Sequence, residues 1–475
     1  MTGEGGQARR FVLCILWALG LLFGISVGPG HAGGQVSVPK PFPQPDGFSV
    51  GVREELVREP VFGGHVLIRE AGDGQRGTIV LIHGVGDEGS AVWDGLLPVL
   101  ARDYRVVACD LPGFGRSSKA NLLYSPERYT AFLRWLVASR VQGPYVVVGH
   151  SLGGALALHF AATRPEGLQR LVLVNVAGIL HRTALTRFMI HLKIGKLQDR
   201  EAMPAPLAWL GRLFGKLVEK MPEPPVDLDA VLERESLREK VLGGDPAKIA
   251  GLALVQANFA PVLERVSVPS YLLWGEDDRV APLRTGRLLA ARLPEARLKV
   301  IPGGGHVPMT LRPALFEEAL RGALSAPFRE PDQKEIPGDR VGLCRDQEAI
   351  TFTGSYRRIE VERCRKVRLV GVAAAEVKIL GSEVSIENSR IVGEGVGLAV
   401  TGSRVTATAL DIRSDVGIES SASTLDLAGV RIEAASRAVR GLRPSRLLFS
   451  VSRVDSPDYE AYFHGPWEVS SRQPL

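Results

Sequence analysis

One junction constrains the fold more than any other feature. Residues Pro144–Gly149 read PYVVVG, a short apolar run, and Leu152–Phe160 read LGGALALHF, a helix-forming run; only His150 and Ser151 separate them. A run apolar at nearly every position suits a strand covered on both faces, as in a parallel sheet. The abrupt change of period that follows suits a strand–turn–helix unit. The pattern recurs. HVLIREAG (His65–Gly72), GTIVLIHG (Gly77–Gly84), YRVVACD (Tyr104–Asp110), LQRLVLVNV (Leu168–Val176) and VPSYLLWGEDD (Val268–Asp278) read as strands. AVWDGLLPVLARD (Ala91–Asp103), SPERYTAFLRWLVASR (Ser125–Arg140) and a segment near Pro313–Leu324 have helical spacing. This alternation over residues 48–324 predicts an α/β fold with a doubly wound, mostly parallel sheet.

The alternation breaks between about Gly178 and Pro261, where helical patterns carry prolines and no strand is evident. Leu210, Leu213, Phe214 and Leu217 share one face of a helix, with Arg212, Lys216 and Lys220 on another. A helical insertion with a solvated basic face accounts for this, and a lid that meets a lipid surface is the sharper reading. A polar, proline-bearing linker follows at 325–340. Beyond it, helix signals vanish and short Val/Ile/Leu runs alternate with Ser, Thr, Arg and Gly. Four weak copies start at Gly381, Gly402, Ala422 and Pro444. Their even spacing, a period of about 21 residues, suits one coil of a right-handed parallel β-helix over 341–475.

The first 32 residues read as an export signal or a membrane anchor. Arg9 and Arg10 precede the apolar run Phe11–Val27, and small residues end at Gly30–Ala32. Four prolines between Pro39 and Pro45 make residues 33–47 an extended linker. The bulk of the chain is therefore expected outside the cytoplasm, exported or anchored. Cleavage of the signal leaves Cys109, Cys344 and Cys364. Export permits one disulfide. Cys344 and Cys364 lie close to one repeat period apart, which would stack them on adjacent coils, while Cys109 falls in a buried strand and should stay free. The net charge of +6 is small for 475 residues, and no basic run is interleaved with aromatics, so nucleic acid is not an expected partner. The β-rich tail and the basic face suggest a membrane surface or a cell-surface glycan instead.

The junction also carries chemistry. Gly149, Ser151 and Gly153 satisfy G-x-S-x-G, and a serine between a buried strand and a helix has the context of a nucleophile elbow. A structural alternative is that Ser151 merely caps the helix. A serine nucleophile needs a base, and the base an orienting acid. WGEDDRVAP (Trp274–Pro282) offers Glu276, Asp277 and Asp278 after a strand, and IPGGGHVPM (Ile301–Met309) holds His306 in a glycine-rich loop. Acid and histidine thus sit at strand ends, where open α/β sheets bind ligands. No dinucleotide motif and no metal-ligand cluster stands in the sequence, so no cofactor is expected.

With HGVG (His83–Gly86), DLPGFGRS (Asp110–Ser117), GHSLGG (Gly149–Gly154), WGEDD and GGGH, residues 48–324 resemble the alpha/beta-hydrolase superfamily. The resemblance implies a helical lid over about 178–261. It puts the acid on Asp278 rather than Glu276 or Asp277, and it makes the backbone N–H groups of Val85 and Leu152 an oxyanion hole. It also implies that His83 holds the oxyanion loop and Asp110 fixes its own turn. Members with the acid after the preceding strand would carry it at Asn175, which is no acid. The implied activity is hydrolysis of a carboxylic ester, with Met203, Trp209, Leu210 and Phe214 suggesting an apolar small-molecule substrate. Hydrolysis of a carbon–carbon bond is the alternative within the family. A surface- or glycan-binding protein with an accessory hydrolase is the alternative of another class.

Overall fold

The computed structural model describes residues 51–181, 227–327 and 337–472. The N-terminal signal or anchor, the first linker and the lid residues from Met203 to Lys220 lie outside these.

The α/β part is built on an eight-stranded sheet: β1 (Arg53–Arg58), β2 (His65–Ala71), β3 (Thr78–Ile82), β4 (Arg105–Cys109), β5 (Tyr145–His150), β6 (Leu168–Val174), β7 (Ser270–Gly275) and β8 (Arg297–Ile301), in the order β1-β2-β4-β3-β5-β6-β7-β8. Strands β3 to β8 pair in parallel, and β1 and β2 add an antiparallel edge. The apolar runs are buried on both faces. Val80 and Ile82 enter one hydrophobic core and Ile79 and Leu81 the other, as side chains alternate across β3.

The principal helices are α1 (Pro126–Arg140), α2 (Leu152–Ala161), α3 (Pro246–Gln256), α4 (Ala260–Arg265), α5 (Leu283–Arg292) and α6 (Pro313–Ser325). Ser125 caps α1, accepting from the Arg128 N–H at 3.4 Å. The segment 91–103 departs from the expected helix: a 3₁₀ turn at Gly89–Trp93 and a short helix at Leu97–Leu100 replace it. Gly95 and Pro98 interrupt that segment, and neither suits a helix interior. Strand β1 was not expected, because its residues are mostly exposed and show no alternation. Within the 178–261 insertion, the described residues from 227 onward are mostly helical.

The C-terminal part is all-β, a closed ring of parallel strands: β9 (Val341–Arg345), β10 (Thr351–Glu362), β11 (Val367–Leu380), β12 (Glu383–Val392), β13 (Val396–Thr401), β14 (Arg404–Ser421), β15 (Thr424–Ala428), β16 (Arg431–Arg443) and β17 (Ser445–Ser456), with β18 (Tyr459–Val469) antiparallel to β17. The register follows the sequence copies. Val384 pairs with Val405, Val405 with Leu425 and Leu425 with Leu447, each step carrying one copy onto the next. Apolar residues therefore stack inside the coils. At one corner the stack is polar: the N–H groups of Cys364, Ser382, Ser403 and Ser423 donate to the hydroxyls of Ser382, Ser403, Ser423 and Ser445 at 2.9–3.2 Å. Each hydroxyl in turn donates to a carbonyl two residues back. Backbone groups that a tight corner would leave unpaired are thus satisfied inside the coil.

Cys344 and Cys364 are joined by a disulfide with Cα atoms 6.5 Å apart, and Cys109 is free and buried. The expected stacking is corrected. The early coils, β9 to β12, advance 17 or 18 residues rather than about 21, so Cys344 faces Val361 and the bond reaches beyond the end of β10 to Cys364.

The two parts are not joined by the linker alone. Ala428, Leu448 and Val451 of the β-domain belong to the same hydrophobic core as Leu263, Leu288 and Leu289 of the α/β part. Polar contacts ring this interface. Glu264 at the end of α4 pairs with Arg453 at 3.3 Å, and the His181 N–H donates to Ser450 Oγ at 3.0 Å.

Candidate active site

Ser151 stands between β5 and α2 with φ 53° and ψ −116°. That is a strained position for a non-glycine residue, of the kind that persists where surrounding structure enforces it. Small neighbours make the turn feasible. A Cβ on Gly153 would lie 2.4 Å from the carbonyl oxygen of Ile82, and one on Gly84 would lie 2.8 Å from Ser151 Cβ. Ser151 occupies the N-cap position of α2, but its side chain makes no capping bond. Its hydroxyl lies 2.9 Å from His306 Nε2. Helix capping therefore does not explain the serine.

His306 follows β8 in the glycine-rich loop. Its Nδ1 lies 2.9 Å from Asp278 Oδ2. A hydroxyl donating to Nε2 and an Nδ1–H donating to the carboxylate make one continuous chain of hydrogen bonds. The histidine side chain is 20% exposed and the aspartate side chain 0%, so one edge of the imidazole is open while the acid is sealed. Asp278 Oδ1 accepts from the N–H groups of Val280 at 2.7 Å and Ala281 at 2.9 Å. These bonds offset the cost of burying a carboxylate. Glu276 and Asp277 are exposed, and neither is in this chain.

Asn175, noted from the sequence only as a residue that could not be the acid, is fully buried at the end of β6. Its Nδ2 donates to Asp278 Oδ2 at 2.6 Å, to the carbonyl of Gly305 at 2.8 Å and to that of His306 at 3.1 Å. Its Oδ1 accepts from the Gly275 N–H at 2.9 Å. One amide thus ties together the ends of β6 and β7 and the histidine loop. The signal was its position: it ends a buried strand next to the acid-bearing one.

His150 packs its ring 5.0 Å from that of His306 and holds the His306 carbonyl at 2.8 Å through Nε2. Burial, with the neighbouring His306 adding to it, lowers its pKa from 6.5 to about 3. It is therefore neutral and serves as a donor to the loop. His83 accepts from the Leu111 N–H at Nε2, 2.8 Å away, and Nδ1 lies 2.6 Å from the Gly84 carbonyl. Burial also holds His83 below its ordinary value. A neutral ring thus links the loop after β3 to the loop after β4. Asp110 accepts from the backbone N–H groups of Ser90 and Arg116, both at 2.7 Å, and so fixes turns. Val85 follows Gly84 beside Ser151, and Leu152 opens α2, where a helix leaves its first N–H groups without partners. Among the described residues no cluster of side chains is suited to a metal ion.

A doubly wound sheet with a serine at a strand–helix elbow, and a histidine and an acid on the loops after later strands, is the layout of the alpha/beta-fold hydrolases. Comparison with known proteins agrees. Residues 77–313 match the model of the alpha/beta hydrolase fold. A Mycobacterium tuberculosis protein without an assigned activity is 30% identical over 313 residues, which cover 62% of this chain and 88% of that protein. The pimeloyl-[acyl-carrier protein] methyl ester esterase of Nitrosomonas europaea is 30% identical over 50% of this chain and 92% of its own length. A 2-hydroxy-6-oxo-6-(2'-aminophenyl)hexa-2,4-dienoic acid hydrolase of Metapseudomonas resinovorans is 26% identical over 54% of this chain and 86% of its own. Among solved structures, a hydrolase from Pseudomonas aeruginosa shares 25% identity with a TM-score of 0.42, over 57% of this chain and 98% of that one. The chain belongs to the alpha/beta hydrolase family.

Proposed function

We propose that this hydrolase cleaves carboxylic esters with Ser151 as nucleophile, His306 as base and Asp278 as its orienting acid. The observation that carries the reading is the pair of 2.9 Å contacts that runs from Ser151 Oγ through His306 to Asp278. Ser151 Oγ attacks the ester carbonyl as its proton passes to His306 Nε2. Asp278 stabilises the imidazolium. The Val85 and Leu152 N–H groups hold the oxyanion, where one such donor can contribute ~10²–10³ in rate. His306 then gives its proton to the departing alcohol. Water attacks the acyl-serine through the same base, and the acid leaves. The methyl ester esterase among the relatives supports an ester, and the lid residues named from the sequence favour an apolar portion. The carbon–carbon hydrolase among the relatives keeps that chemistry as the second reading.

The test is a panel of p-nitrophenyl esters of graded acyl length, run on the full chain with and without a serine-reactive phosphonate, beside Ser151→Ala. Turnover lost to both the phosphonate and the substitution is expected. An alanine variant that keeps most of the turnover excludes Ser151, and hydrolysis of a vinylogous 1,5-diketone with no ester turnover moves the assignment to the second reading. We further propose that the folded part works outside the cytoplasm, exported or anchored by its first 32 residues, and that residues 341–475 meet a membrane surface or a glycan. The apolar N-terminal run and the disulfide support the location.

A further inference from the structure

The β-domain grips the helix that follows the acid. Helix α5 begins shortly after Asp278 and presents Arg284, Leu288 and Arg292 to the β-domain. These are spaced i, i+4, i+8 and so share one face. Arg284 makes the densest contact. Its guanidinium donates to Thr408 Oγ1 at 2.7 Å, to the Ala407 carbonyl at 2.8 Å and to both carboxylate oxygens of Asp426 at 3.0 and 3.1 Å. The pair is partly buried, with side chains 21% and 19% exposed. One turn on, Leu288 packs so close to Gly429 that a Cβ there would lie 2.9 Å from Leu288 Cγ. At the far end, Arg292 donates to the Gly429 carbonyl at 2.6 and 2.8 Å and pairs with Asp411 at 2.7 Å.

The first of these grips is continuous with the acid. Asp278 accepts from Val280 and Ala281, the Ala281 carbonyl accepts from Trp274 Nε1 at 3.0 Å, and Pro282 stands at the N-cap position of α5. Asp278 Oδ1 holds the Ala281 N–H, and the carbonyl of the next residue, Pro282, accepts from the Thr285 N–H at 2.7 Å in the first turn of α5, so a shift of that turn reaches the carboxylate through a short, locally bonded stretch of chain. We infer that the β-domain positions the acid of the hydrolase site, and that Arg284, held by Asp426 and Thr408, is the positioning residue through which it does so. The inference rests on the role proposed for Asp278. It gives the all-β part a task inside the catalytic unit, besides any partner its outer surface binds.

The experiment uses the full chain with Arg284→Met, Arg284→Lys and Asp426→Asn, beside Arg292→Met at the far end of α5 and Arg287→Gln, which removes the more exposed ion pair from α5 to Glu387 on β12. Two quantities are read: kcat and KM on the best ester, and the far-downfield proton resonance of His306 Nδ1–H, which reports its bond to Asp278 without turnover. A misplacement of about 1 Å costs up to ~10²-fold in rate. Arg284→Met and Asp426→Asn should therefore lower kcat about 10- to 100-fold at little changed KM and shift or broaden the resonance. Arg284→Lys should recover part of both, since it keeps the charge but not the fork. Arg287→Gln should leave both readouts as they are, and Arg292→Met should lower Tm more than kcat. An unchanged resonance and kcat in Arg284→Met overturn the inference. So does an equal loss in Arg292→Met, which would mean general loosening. A wild-type chain that shows the resonance but hydrolyses no ester sinks the ester reading and leaves the positioning test intact.

Discussion

Replacing Asn175 by alanine tests whether the site is held by its surroundings or by its own three side chains. The residue is fully buried; its two N–H groups reach three acceptors, one of them shared, and its oxygen accepts one bond. Its loss removes a 2.6 Å bond to the Asp278 carboxylate, of a kind worth ~1.5–3 kcal/mol, and leaves the Gly305 carbonyl and the Gly275 N–H unpaired at ~1–3 kcal/mol each, while the His306 carbonyl keeps His150. The sum is about 3.5–9 kcal/mol, which for a domain of this size lowers Tm by roughly 10 °C or more. Activity should suffer less. Asp278 keeps the Val280 and Ala281 N–H groups, so it stays oriented, and kcat should fall about tenfold. Asp278→Asn, which disturbs the histidine tautomer itself, should cost ~10⁴-fold. The assay is thermal unfolding followed by ester kinetics on folded protein. A variant with wild-type Tm refutes the reasoning about the buried amide. A kcat loss equal to that of Asp278→Asn refutes the division between support and chemistry.

Glu276→Gln and Asp277→Asn should leave kcat within about twofold, because both side chains are exposed and outside the hydrogen-bonded chain; three equal losses would contradict the choice of acid. A non-reduced digest should yield a linked peptide pair containing Cys344 and Cys364 and, among the described residues, one alkylatable buried thiol, Cys109. Reducing that bond, which closes a sequence separation of 20, should cost about 3 kcal/mol and lower the melting point of the β-domain. His150 is held neutral in the folded state, with its pKa lowered to about 3, while in the unfolded chain it takes up a proton near its ordinary 6.5. Unfolding therefore binds a proton between those values, so stability falls as pH drops below 6.5 and levels off near 3. His150→Gln should flatten that fall in a series of melts against pH; an identical slope in wild type and variant would refute a neutral buried ring.

Much of the α/β part is legible one residue at a time, because burial on both faces of a parallel sheet demands unbroken apolar runs. PYVVVG and SYLLWG announce β5 and β7 on that ground alone. The exposed edge strand β1 carries no such demand, and its pattern is silent. The same logic reads the coils of the β-domain from Gly381 onward, where Val384, Val405, Leu425 and Leu447 fall in one stacked apolar row. It fails in the early coils, which advance 17 or 18 residues, pair Cys344 with Val361 and so shift the register there.

The sheet and the elbow at Ser151 could be read from local patterns, each enforced by burial or by a tight turn, and the family resemblance singled out Asp278 among three neighbouring acids. What supports them became visible in the folded chain. Asn175 reaches across three loops to Asp278, and Arg284 reaches Asp426, 142 residues further along the chain. A hydrogen bond between distant segments leaves no period in the sequence. It depends on where two backbones come to rest, and that is set by the packing of the whole molecule.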